Sequence, residues 1–146
     1  MHLLKRHVLW RAERHDRAEQ TKLQIVLLYV NGEEKVGVEV SSEFAQHMIR
    51  ECLTCSAHAT REFFLTGFTT DLREDLRRIA VPTLIVHGDR DVQAPLVICG
   101  SRTAALAPHS TFHVYENAAH GLFVTHADRL NEDFWAFMRA ASEVAR

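Results

Sequence analysis

Two runs of apolar and β-branched residues, "PTLIVH" (82–87) and "STFHVYE" (110–116), constrain this chain most, because a helical pattern lies between them. The first run is almost continuously apolar, as expected of a strand covered on both faces. Between the runs, "PLVICGSRTAALA" (95–107) reads as a helix with Pro95 in its first turn, although Gly100 weakens its middle. A further helix, "HADRLNEDFWAFMRAASEVA" (126–145), follows and carries Leu130, Phe134, Phe137 and Met138 on one side. Strand, helix, strand, helix in this order implies parallel strands joined by a right-handed crossover. The expected fold class is α/β.

Parallel neighbours bring their C-terminal ends to one edge of the sheet, about 4.8 Å apart. Open α/β sheets place their ligand sites along that edge. The loop after the first strand, "HGDRDVQAP", offers Asp89 and Asp91; the loop after the second, "ENAAHG", offers His120. Asp91 and His120 stand at matched positions, so they can approach to hydrogen-bonding range. An aspartate on one imidazole nitrogen fixes the tautomer, leaves the other nitrogen free to take a proton and stabilises the resulting imidazolium. This is the acid–base half of a nucleophilic hydrolase.

These residues carry a resemblance. "VPTLIVHGDRDVQAP" is similar to the strand-then-acid segment of α/β-hydrolases, and "ENAAHGLFVTHADRLNEDFWAFM" resembles their histidine loop and last helix. The elements His120-Gly121-Leu122 and Thr125-His126 are similar to those of the cofactor-free haloperoxidase and esterase branch. The resemblance implies Asp91 as triad acid, His120 as triad base and Asp89 as a loop residue. It implies a role as lid helices for residues 41–80 and a partial hydrolase core, its C-terminal half, for 81–146. No cofactor is implied, and the substrate class is a small-molecule ester.

The family's chemistry also needs a serine on a Gly-x-Ser-x-Gly elbow and a backbone oxyanion hole. No Gly-x-Ser-x-Gly occurs in the 146 residues. Ser101 in "CGSR" falls inside the crossover helix, and Cys99 beside it reads as a packed apolar side chain. The chain therefore reads as an acid–base half with nothing to activate, inactive alone unless a nucleophile-bearing half completes it. A different class of function stays open, a non-catalytic binding or homodimerisation module that pairs an exposed sheet edge with another chain.

Other constellations are weaker. Cys52 and Cys55 have zinc-knuckle spacing, but a structural zinc wants four ligands and no second pair exists. Cys52 continues the stripe Phe44, Met48, Ile49, Cys52, Leu53 and Ser56 of a helix capped by Ser41 or Ser42. His87, Asp89 and Asp91 alternate like metal ligands, but a turn at Gly88 breaks the alternation, and no metal is expected. His113 reads as a satisfied or surface histidine, and His126 as a packing or cap residue. A short helix around 61–66, ending near Gly67, and a last turn in "DLREDLRRIAVP" before Pro82 complete the helical segment.

Residues 1–40 carry no motif of this resemblance. "LQIVLLYV-NGEE-KVGVEV" suits a hairpin turning at Asn31-Gly32; one helix over 16–30, ended by the same two residues, fits as well. The basic stretch 1–22 reads as a solvated face. The following apolar run is eight residues, against the roughly 20 that a membrane span needs. A net charge of −2 gives no support for nucleic acid. Three cysteines make no disulfide framework and fit a reducing, cytoplasmic compartment.

Overall fold

The computed structural model describes residues 40–144, which form two compact units, 40–71 and 72–144. The hairpin or helix expected before residue 40, and the basic stretch, lie outside the described residues.

The first unit holds two helices of 13 residues each, α1 (Ser42–Thr54) and α2 (Ala57–Thr69). Ser41 caps α1, its Oγ accepting the Phe44 N–H at 3.1 Å, and Ser56 caps α2 by accepting the Ala59 N–H at 3.0 Å. Each cap satisfies one of the first-turn donors that a helix leaves unpaired. Ser56 thus belongs to the second helix, not to the stripe of the first. The second helix is also longer than the 61–66 expected. It starts at its cap and passes through Gly67, and the Thr69 and Thr70 hydroxyls close its end on the Leu65 and Thr66 carbonyls.

The second unit opens with a single turn, α3 (Arg73–Arg77), and then β1 (Thr83–Gly88), α4 (Gly100–Leu106) and β2 (Ser110–Tyr115). The strands pair in parallel, in a register that sets Thr83 opposite Ser110 and Gly88 opposite Tyr115. Their C-terminal ends therefore finish level. A single turn, α5 (Leu122–Thr125), precedes the long α6 (Ala127–Val144).

Two expectations need correction. First, β1 is half-buried along its length and only Gly88 is buried, whereas a continuous apolar run suggested cover on both faces. Among the described residues β1 has a single strand beside it, β2, whereas cover on both faces needs elements packed on either side of the sheet. Second, α4 begins at Gly100, not Pro95. Residues 96–99 turn instead, with the Ile98 and Cys99 N–H groups both donating to the Pro95 carbonyl at 3.0 Å. The His87 ring packs on Gly100, the helix's first residue, where a Cβ would lie 2.6 Å from His87 Nδ1.

Tyr115, Ala118, Leu122 and Leu130 make the buried core, with Val86 packed against it. Leu130 of α6 is buried, while Phe134 and Met138 of the expected apolar side are exposed. A polar latch adds to that packing. The Tyr115 hydroxyl donates to Asp133, His113 Nδ1 lies 3.2 Å from Asp133 Oδ2, and Arg129 sits 3.9 Å from the centre of the Tyr115 ring. His113 and Tyr115 share a face of β2 through the two-residue period of a strand, and Arg129 and Asp133 share a face of α6. Burial and the Asp133 carboxylate push the Tyr115 phenol up to about 12. Among the described residues, no helix is long and apolar enough to cross a membrane.

Candidate active site

The loops that leave β1 and β2 are bound to each other by their backbones. The Asp89 N–H donates to the Tyr115 carbonyl at 3.0 Å, and the Arg90 N–H to the Ala118 carbonyl at 3.1 Å. Gly88 permits this approach, since any side chain there would run into Ala118. The histidine loop bends at Asn117, whose φ of 56° is left-handed, a region that asparagine tolerates better than most residues.

Asp91 follows three positions after β1 and is 6% exposed. A carboxylate this buried is costly unless its oxygens are engaged. Both are. Oδ1 accepts the Gln93 N–H at 3.0 Å and the Ala94 N–H at 2.8 Å, and Oδ2 lies 2.6 Å from His120 Nδ1. Burial alone would push the Asp91 carboxyl up. The hydrogen bonds from His120 and Ala94 outweigh it and hold the group below the usual carboxylate value.

His120 donates through Nδ1 to this carboxylate, because an ionised carboxylate can only accept. That bond raises the imidazole's pKa against the opposing effect of burial. The side chain is 41% exposed. Its Nε2, with no hydrogen-bond partner among the described residues, is the atom left to take a proton. A cavity of about 320 Å³ adjoins the pair, lined by Leu84, Val86, Leu130 and Phe134 together with Asp91 and His120. An acid–base pair beside an apolar hollow suits proton transfer to or from a small apolar substrate.

The remaining sequence candidates fall elsewhere. Ser101 stands in the first turn of α4 and does not line the cavity. Cys99 is half-buried, and burial together with the Asp91 charge pushes its thiol up, away from the reactive thiolate. Cys52 and Cys55 are exposed on the first unit. No three His, Cys, Asp or Glu side chains among the described residues could hold a metal ion. His113 is satisfied by Asp133, and His126 Nδ1 lies 2.8 Å from Thr125 Oγ1 at the start of α6.

One residue of this site went unread. His87 Nε2 lies 2.8 Å from the Ala94 carbonyl and 3.5 Å from Asp91 Oδ2. The spacing His87-x-x-x-Asp91 across a glycine turn is the sequence signal for it.

Level strand ends, an acid loop and a histidine loop stitched together, and an Asp–His pair at their tip define the chain as part of an α/β-hydrolase. No protein-family model matches the sequence, but related proteins do. The chain is 33% identical over 109 residues to a non-heme haloperoxidase of Rhodococcus erythropolis, a match covering 75% of this chain and 40% of that protein. It is 31% identical over the same length to a bifunctional esterase/perhydrolase of Acinetobacter calcoaceticus, again covering 75% of this chain and 40% of the relative. Among solved structures, a bromoperoxidase from Bacillus anthracis superposes with a TM-score of 0.78 at 29% identity, over 86% of this chain and 45% of that one. The chain's homologues are thus non-heme haloperoxidases and esterases, matched over 75% of its length, and its fold is that of the α/β-hydrolases. It spans about 40% of the length of these curated relatives.

Proposed function

We propose that Asp91 and His120 are the acid and base of a Ser-His-Asp triad acting on small esters. In this reading the chain supplies two of the three triad members. The serine and the oxyanion donors lie outside these 146 residues, in the nucleophile-bearing half of the fold. The 2.6 Å contact between His120 Nδ1 and Asp91 Oδ2 carries this reading.

The chemistry follows from that contact. His120 Nε2 takes the serine hydroxyl proton as Oγ attacks the acyl carbonyl, and Asp91 stabilises the imidazolium. His120 then returns the proton to the departing alcohol, leaving an acyl-enzyme. Water, deprotonated by the same nitrogen, cleaves the acyl-enzyme to the acid and regenerates the serine. Alone, the chain has no serine on an elbow for His120 to activate. From the three cysteines and the ordinary charge balance we infer a cytoplasmic location, with no nucleic-acid or membrane partner.

A chimera tests this. Replacing the matched stretch of the Acinetobacter esterase/perhydrolase with that of this chain sets His120 in a full-length esterase. Hydrolysis of a p-nitrophenyl ester by the chimera should fall by at least about 10³-fold on His120→Ala. Turnover unchanged by that substitution would remove His120 from the triad. The isolated chain should stay at the uncatalysed rate; an isolated dimer with no ester turnover in any chimera would favour the binding-module alternative.

A further inference from the structure

The reach of His87 points to a part in the site that the triad reading leaves unassigned. Its side chain is only 13% exposed, and its ring lies over Gly100 at the start of α4. A carbonyl oxygen can only accept, so the 2.8 Å contact with Ala94 puts a proton on His87 Nε2. Ala94 is therefore held from both sides. Its N–H donates to Asp91 Oδ1 and its C=O accepts from His87. The second oxygen of Asp91 is then left to face His120, with His87 Nε2 at 3.5 Å on its other flank.

We propose that His87 is a positioning residue for Asp91: its Nε2–H, anchored on the Ala94 carbonyl, fixes the loop that aims the carboxylate at His120. The inference rests on the acid–base reading of that pair. A 3.5 Å separation is too long for a strong hydrogen bond, so His87 acts mainly through the backbone of residue 94. Gly100 is the other half of the device, since a Cβ there would push the ring off its place. The charged and titratable groups that bear on Asp91 are His120, His87 and Cys99.

The test uses the full chain and reads His120 by NMR, through its titration and the low-field Nδ1–H resonance of its bond to Asp91. His87→Met keeps the bulk and loses the donor, whereas His87→Gln keeps an N–H at similar reach. The methionine variant should shift the His120 titration down toward the ordinary histidine value and abolish the low-field resonance. The glutamine variant should retain both. Gly100→Ala, which leaves His87 present but displaced, should repeat the loss, and it carries the test if the methionine variant does not fold. A merely structural role would lower the melting temperature in these variants and leave the His120 titration as in the wild type. That outcome, or a glutamine variant no better than methionine, overturns the proposal. If the wild-type titration is itself indifferent to Asp91→Asn, the acid–base reading fails instead, and the two failures stay distinct.

Discussion

Gly88 runs against the carbonyl of Ala118 with no room for a side chain: a Cβ on Gly88 would lie 2.1 Å from that oxygen. The contact lets the backbone of the acid loop reach the backbone of the histidine loop. The position of Asp91 relative to His120 is thus set before either side chain is considered.

Gly88→Ala should therefore cost about 1–3 kcal/mol or more, since the obstructing atom belongs to the backbone and cannot rotate away. A urea midpoint would measure it. The same variant should loosen the bonds from Asp89 to Tyr115 and from Arg90 to Ala118, seen as faster amide exchange at residues 89 and 90. Wild-type stability in this variant would mean that the two loops are not held together as described.

The latch on the other side of the unit gives an asymmetric pair of expectations. Tyr115→Phe removes one hydrogen bond to a carboxylate that keeps His113 and some solvent, and should cost about 1.5 kcal/mol. Asp133→Ala should cost more, because it leaves the hydroxyl of the fully buried Tyr115 without its partner. Chemical denaturation of both variants checks the order. The reverse order would mean that α6 is held on β2 by apolar packing alone.

The acid–base pair should also show in stability against pH. The His120 pKa is raised on folding, so its contribution is complete below the unfolded value and fades as pH rises through the folded one. The Asp91 pKa is lowered, so its contribution is complete above the unfolded value and fades as pH falls through the folded one. The two conditions overlap between about pH 4 and 6.5. The stability difference between the wild type and His120→Gln should be largest in that window. Above the folded pKa of His120 it should narrow. Urea midpoints from pH 4 to 9 supply the curve, and a difference flat across the range would deny the linkage.

The sequence was most legible where periodicity and loop position coincide. The apolar runs at 82–87 and 110–116 marked both strands to within a residue, and strand direction with matched loop positions predicted that Asp91 and His120 meet, as they do at 2.6 Å. Where tertiary contacts decide, the sequence was silent. Nothing local shows that the His87 ring packs on Gly100, or that residues 96–99 turn before α4 begins. Nor does apolar composition reveal how well a strand is covered; "PTLIVH" reads as interior, yet β1 is half-buried, with one paired neighbour among the described residues. The Tyr115–Asp133 bond joins residues 18 apart on different elements, beyond any local pattern.

The account turns on the bond between His120 and Asp91, and the most direct measurement is the His120 titration followed by NMR in the wild type and in Asp91→Asn. The wild-type imidazole should titrate above the ordinary histidine value of about 6.5. Asparagine, which carries no charge, should bring it down while the chain stays folded. A His120 that titrates at the ordinary value in both proteins would contradict the pairing, and with it the acid–base role assigned to this chain.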